Sequence, residues 1–280
     1  MAAILREDVA GVATDAAVVT GFTADWLSLR EPADSRARDP NLTTQLVQLA
    51  RQHSQPRFID LACGTGANLR YLAARVRGDW RLVDSDAALL ERVGAVPGCR
   101  IETQHLDLTT ELHTLEFAAD VIVTASALLD LVSDRWLTQL VDCCRVGGCA
   151  ALFALSYDGR ITLTPSDPDD EWIRQLVNLH QLSDKGFGLA LGPDAWLRTS
   201  DLFRDAGYRV LTARSDWNLL PQEHRLQRSL LEGWTGAAAE LASSEITRCQ
   251  QWLARRLAHV ATGASRITVG HEDVLALPPD

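Results

Sequence analysis

Apolar and polar positions alternate in blocks along this chain, and the period changes from block to block. Arg57–Ala62 is an apolar run closed by a carboxylate and a small residue, followed by two glycines, Gly64 and Gly66. Leu69, Leu72, Ala73 and Val76 then recur at helical spacing, so a strand, a tight turn and a helix are predicted in succession. The same grammar continues with strands over Asp79–Asp84, Arg100–His105, Asp120–Ala125 and Cys149–Ser156. Helices over Asp86–Val93 and Arg135–Cys144 separate them, and Gly147-Gly148 makes the turn into the fifth strand. Strands alternating with helices predict a parallel sheet covered on both faces.

The flanks follow other patterns. Val9, Val12, Val18, Val19, Phe22, Trp26 and Leu27 form a weakly amphipathic stretch that Pro32 is expected to end. A second helix is predicted from Asn41, taken as its N-cap, through Leu42, Leu46, Leu49 and Ala50. Beyond residue 157 the order loosens. Trp172, Ile173, Leu176, Val177 and Leu179 make one amphipathic piece within 157–194. A helix over Ala195–Ala206 and a strand over Tyr208–Ala213 follow. The segment 222–262 reads as helical, and Arg266–Val269 as a last strand. Long connections beyond strand ends tend to carry function. We therefore expect one domain over 1–280, with N-terminal helices in 1–55, a core in 56–156, and lid segments in 157–194 and 222–262.

Of the glycine-turn ligands, a dinucleotide requires a third small residue where this chain has Leu69, and a P-loop requires a Gly-Lys-Ser/Thr that is absent. The order Asp60-x-Ala62-x-Gly64-x-Gly66 resembles motif I of the class I S-adenosylmethionine (SAM)-dependent methyltransferases, Asp/Glu-x-Gly-x-Gly-x-Gly, with Ala62 replacing the first glycine. The resemblance covers about 56–156. It implies a Rossmann-like, doubly wound, seven-stranded and mostly parallel sheet with SAM as cofactor. It also implies that Asp60, Ala62, Gly64 and Gly66 hold the methionine end, and that Asp107 and Leu108 hold the adenine. Asp84 stands 18 residues after Gly66 at the next strand end, where a carboxylate accepts ribose hydroxyls, with Ser85 beside it. Each of these acids alone would serve as a helix cap or a surface charge. Their recurrence at three consecutive strand ends is what points to a cofactor.

In this family the stretch Thr124–Asp130 lies beside the transferred methyl, which places Ser126 at the cofactor and Asp130 as a general base or as the cap of the next helix. The polar lid stretch Asn178–Gly188 offers His180 as a proton acceptor or substrate contact, with Asp184, Lys185 and Phe187 as further substrate contacts. A histidine among Leu176, Val177 and Leu179 also suits simple packing. Trp217, Asn218, Trp234 and His271 are further pocket candidates. Arg30, Arg36 and Arg38 are either solvated charge or contacts for a carboxylate of cofactor or substrate.

Composition narrows the choice. With 46% apolar residues and a formal charge of −10 over 280 residues, the chain reads as a globular protein without the basic footprint of a nucleic-acid binder. No apolar run is long enough for a membrane span or a secretory leader. Six cysteines without disulfide or zinc spacing point to free thiols, a cytoplasmic location and no metal. Sequences acting on base or amide nitrogen carry Asn/Asp-Pro-Pro-Tyr after the fourth strand, and this chain does not. The expected activity is methyl transfer to O, N or C of a small-molecule acceptor, with a homodimer as the expected assembly. The alternative is a SAM-binding protein without methyl transfer, running other SAM chemistry or acting as a sensor or partner module.

Overall fold

The computed structural model describes residues 22–279. Two helices, α1 (Ala24–Ala37) and α2 (Pro40–Ala50), precede the sheet; the valines at 9, 12, 18 and 19 lie outside the described residues. Thr23 caps α1 by accepting the Trp26 N–H, and Asp39, not Asn41, caps α2 with Pro40 in its first turn. Proline fits there because the first N–H groups of a helix have no intrahelical partner. Pro32 sits inside α1 and does not end it. Its ring removes one backbone hydrogen bond, but Trp26, Arg30 and Ala33 bury their side chains on both sides of it and keep the helix together.

The alternation predicted for the core is present. It runs β1 (Arg57–Leu61), α3 (Ala67–Ala73), β2 (Asp79–Asp84), α4 (Ala87–Leu90), β3 (Arg100–His105) and α5 (Leu108–Glu111), then β4 (Val121–Ser126), α6 (Asp134–Gly147) and β5 (Ala150–Thr164). The chain continues with α7 (Asp170–Gln181), α8 (Ala195–Asp205), β6 (Arg209–Arg214), β7 (Trp217–Leu219), α9 (His224–Leu241), α10 (Ile246–Ala261) and β8 (Arg266–Leu277). The sheet order is β3-β2-β1-β4-β5-β8-β6, with β7 also on β8. Strands β1 to β5 are parallel, while β8 runs antiparallel to β5, β6 and β7.

The sheet therefore has eight strands, where seven are expected. The additional strand is β7, which pairs with β8 where β5 and β8 run on past the core as a paired ribbon from Ile161 to Thr164 and from Arg266 to Val269. Tyr157 and Ile161 bracket a register shift in that pair, and β7 borders the outer part of β8. Three apolar clusters follow from this layout. Helices α5, α6 and α8 cover one face of the sheet, α2, α3 and α4 the other. The third cluster joins α1, α7, α9 and α10 to the β5–β8 ribbon around Trp217, Trp234 and Trp252. Among the described residues no helix is long and apolar enough to cross a membrane.

Candidate functional site

Strand order reverses between β1 and β4, and ligands of open α/β sheets bind outside the strand carboxyl ends at such a point. The glycine turn sits there. Ala62, Gly64 and Gly66 all have positive φ, at 50°, 54° and 80°. Ala62 therefore takes the left-handed conformation that glycine adopts without a steric penalty, at a cost of about 1 kcal/mol. A Cβ on Gly64 would come within 2.8 Å of Leu27 Cδ1, so α1 lies directly over the turn. A second tie holds α1 down: Glu31 takes a bidentate pair from Arg70 of α3, whose Nη1 also donates to Thr65 O at 2.6 Å.

Asp84 braces the turn from the next strand. Its Oδ2 accepts the Gly64 N–H at 2.7 Å and its Oδ1 accepts the Asp86 N–H at 2.9 Å. Burial raises its pKa above the usual carboxylate value, against these backbone donors. Asp60 lies deeper and is 0% exposed. Its Oδ1 accepts from Asn68 Nδ2 at 2.6 Å and from Thr124 Oγ1 at 2.8 Å, while Oδ2 has no hydrogen-bond partner among the described residues. Burial lifts its pKa to about 6, with Asn68, Thr124 and Arg38 pulling the other way. Cys63, inside the turn, is buried, and its thiol is held far above its normal value by burial and by Asp60 and Asp84, so it is no nucleophile.

The adenine-end candidates are more exposed. Asp107 caps α5, with Oδ1 accepting from Thr109 N and Thr109 Oγ1 at 2.8 and 2.7 Å, bonds that lower its pKa. Leu108 is buried, and its carbonyl accepts from Trp136 Nε1. Ser85 is exposed, with its carbonyl oxygen 2.9 Å from His105 Nε2.

Past β4, Ser126 is half-buried, and Ala127 turns with φ 55° while donating to Ala154 O. Asp130 is buried in the short turn Leu129–Leu131. It does not cap α6: Ser133 does, through Trp136 N. His180, on α7, is 9% exposed and has both ring nitrogens engaged. Nε2 is 2.9 Å from Glu240 Oε2 on α9, and Nδ1 is 3.2 Å from Lys185 Nζ. Because an ammonium only donates, Nδ1 accepts and Nε2–H points at Glu240. Burial lowers the pKa of His180 and of Lys185. The Asp130 charge acts on both Lys185 and Tyr157, so Asp130 and the His180–Lys185 pair share one electrostatic neighbourhood. Asp184 folds the loop by accepting from Gly186 N and Gly188 N, and Phe187 packs edge-on against Trp136 with centroids 5.2 Å apart.

Of the four further pocket candidates, Trp217 and His271 are adjacent, with ring centroids 5.1 Å apart, and Arg30 lies over Trp217. Trp234 is core and Asn218 is exposed. Sequence reasoning alone does not single out Tyr157 or Asn68 as site residues. Asn68 carries one signal: it lies four positions before Leu72, on the buried stripe of α3. Among the described residues no group of three or more His, Cys, Asp and Glu could hold a metal ion. Clefts of about 250 and 370 Å³ open at the amino ends of β1 to β3, the opposite edge from the glycine turn, and involve none of these residues.

Residues 58–148 match a family model described as a methyltransferase domain. No curated protein matches the chain. Among solved structures, a cyclopropane-fatty-acyl-phospholipid synthase-like protein from Lactobacillus casei is similar over 89% of this chain and 99% of its own, at 12% identity and a TM-score of 0.51. The cyclopropane synthase MmaA2 from Mycobacterium tuberculosis covers 91% and 94%, at 12% identity and a TM-score of 0.46. The YcgJ protein from Bacillus subtilis covers 86% and 100%, at 12% identity and a TM-score of 0.47. At 12% identity and a TM-score of 0.51, the likeness to the Lactobacillus casei protein speaks for the fold alone.

Proposed function

We propose that the chain, whose residues 58–148 match a methyltransferase domain, is a class I enzyme that uses S-adenosylmethionine to methylate O, N or C of a small-molecule acceptor. The acceptor lies between the strand carboxyl ends and the layer of α7, α9 and α10. One domain over 1–280, with that layer as its lid, is supported by β5 and β8, which continue from the core into the layer. Six free cysteines support a reducing, cytoplasmic setting.

The single observation that carries the reading is the Asp84 carboxylate bound to the Gly64 N–H at 2.7 Å. A carboxylate has about four acceptor positions. Asp84 spends two on backbone donors, which leaves acceptor capacity for two vicinal hydroxyls beside a turn that carries no side chain at Gly64 or Gly66. These residues fit the ribose and methionine portions of SAM. When bound, SAM supplies an electrophilic methyl on a sulfonium. The protein's own part is alignment, exclusion of water and handling of the acceptor's proton. Asp130, buried after β4, is the proton acceptor in this reading. Lys185 orients the acceptor, and His180, held by Glu240, fixes Lys185 and takes no proton itself.

Calorimetric titration with SAM and with NAD, on the parent and on Asp84→Ala, tests the cofactor half. The parent binds SAM and ignores NAD, and Asp84→Ala weakens SAM binding by about 1.5–3 kcal/mol, as the loss of hydrogen bonds to a charged group does. SAM binding indifferent to Asp84 would sink the assignment. Labelled methyl transfer from SAM to a panel of phenols, amines and carboxylic acids tests the other half. Tight SAM binding with no labelled product on any of them would favour a binding module.

A further inference from the structure

One row of side chains crosses the sheet where β5, β8 and the link from β6 to β7 meet. Tyr157 of β5 stands opposite His271 of β8, and the Ser215 N–H donates to His271 O at 2.9 Å. The His271 ring has two aromatic neighbours, with centroids 6.3 Å away for Tyr157 and 5.1 Å for Trp217. It is 1% exposed, and neither ring nitrogen has a hydrogen-bond partner among the described residues. Ser215 Oγ and, next to Tyr157, Ser156 Oγ are buried and unpartnered in the same way. A buried polar atom left without a partner costs on the order of 1–3 kcal/mol, so a group of them marks a place that something polar fills.

The charged groups that act on this row are already committed. Arg30 donates through Nε and Nη2 to Asp34 at 2.9 and 3.0 Å, and Trp217 Nε1 donates to the same carboxylate at 3.0 Å. Arg160 is held by Asp158 and Asp216. Tyr157 Oη donates to Asn178 Oδ1 of α7 at 2.7 Å. Burial, with the charges of Arg30 and Arg160 adding to it, holds the His271 pKa well below the ordinary histidine value. The ring is therefore neutral, and one nitrogen donates while the other accepts. A cation here would meet Arg30 and Arg160, and an anion would find both arginines already paired with carboxylates.

We propose that this row binds the body of the acceptor, and that the acceptor is an uncharged aromatic compound bearing a hydroxyl. One imidazole nitrogen of His271 meets that hydroxyl, which fits either tautomer because it both donates and accepts. The rings of Tyr157 and Trp217 take its flat apolar surface. The proposal rests on the methyltransferase reading above and narrows its acceptor. Ala154, three residues before Tyr157, pairs with Ser126 and accepts the Ala127 N–H, which sets the row beside the stretch that follows β4. The Asp130 charge also acts on Tyr157. Helix α1 covers both places: Arg30 lies 5.0 Å from the Trp217 ring centroid, and Leu27 lies against Gly64. It is the element that gives way when the acceptor enters.

Four probes of similar size separate the outcomes: p-cresol, toluene, 4-methylbenzoate and 4-methylbenzylammonium. Ligand-observed NMR titrations of the full chain, with and without S-adenosylhomocysteine, should show p-cresol bound about 10-fold more tightly than each of the others, the effect of one hydrogen bond to a buried group otherwise unpartnered. His271→Phe keeps a ring and removes both nitrogens. It should abolish the preference for p-cresol over toluene and leave SAM affinity unchanged. If the preference survives in His271→Phe, the histidine only packs and the proposal falls. It falls equally if the parent binds a charged probe as tightly as p-cresol, or binds none of the four. Should His271→Phe not fold, His271→Met removes both nitrogens from a more pliable side chain, and the same ratio decides. A parent that prefers p-cresol and does not bind SAM would overturn the cofactor reading and leave the row as a phenol site. One that binds SAM without preferring p-cresol would overturn this proposal alone.

Discussion

Asp60 carries a consequence that reaches beyond the ligand. Its pKa stands near 6 in the folded chain, against about 4 for a carboxylate in water. The folded state therefore holds a proton that the unfolded state releases. The sign follows from linkage: stability falls as pH rises from about 4 to about 6, and the penalty is constant above that. Asp60→Asn keeps an oxygen for Asn68 and Thr124 to donate to and cannot ionise. Urea midpoints of parent and variant from pH 4 to 7 should diverge across this window, with the parent losing stability relative to Asp60→Asn. Parallel curves would mean that Asp60 titrates at its ordinary value. Residue identities such as this were legible in the sequence, since Asp60, Asp84 and Asp107 stand at strand ends as expected. Their surroundings were not. Asp60 is sealed behind Asn68, while Asp107 is exposed and caps a helix, and nothing in the local pattern separates the two.

At the scale of elements, the turn between α6 and β5 shows how a local signal and a distant contact combine. Gly148 closes α6 with φ 67°, a position that a sequence with Gly-Gly after a helix announces. Gly147 is still helical, yet a Cβ there would lie 2.6 Å from the Phe117 carbonyl carbon and 2.7 Å from its oxygen. Backbone cannot swing aside as a side chain does. Gly148→Ala should cost about 1–2 kcal/mol of stability through its left-handed φ. Gly147→Ala should cost more, because the segment before β4 must move. Chemical denaturation of both variants checks the order, and the reverse order would refute it. Helix and strand positions in the core were readable because each is a short periodic pattern bounded by its own caps and turns. Pro32 misleads for the opposite reason: a proline normally stops a helix, but the burial of Trp26, Arg30 and Ala33 outweighs one lost hydrogen bond.

Over the whole molecule, the layer of α7, α9 and α10 rests on the ribbon that β5 and β8 extend beyond the core. His180 links α7 to α9 through Glu240 and reaches Lys185 in the loop that follows. Removing the imidazole should leave SAM affinity unchanged, because the glycine turn and Asp84 lie on other elements. It should lower turnover on the true acceptor, because Lys185 loses its support. His180→Ala with parental turnover would remove the lid from the mechanism.

The sequence by itself determined the alternating α/β core, the glycine turn and the acids at the strand ends, since these are written in contiguous residues with local periods and turn chemistry. Only the tertiary structure decided that the sheet has an eighth strand, that Arg38 is buried beside Asn68 and Asp273, and that both nitrogens of His180 are engaged. These outcomes depend on which distant side chains are buried together. Such pairings arise from the packing of whole helices against the sheet, and no short stretch of sequence encodes them.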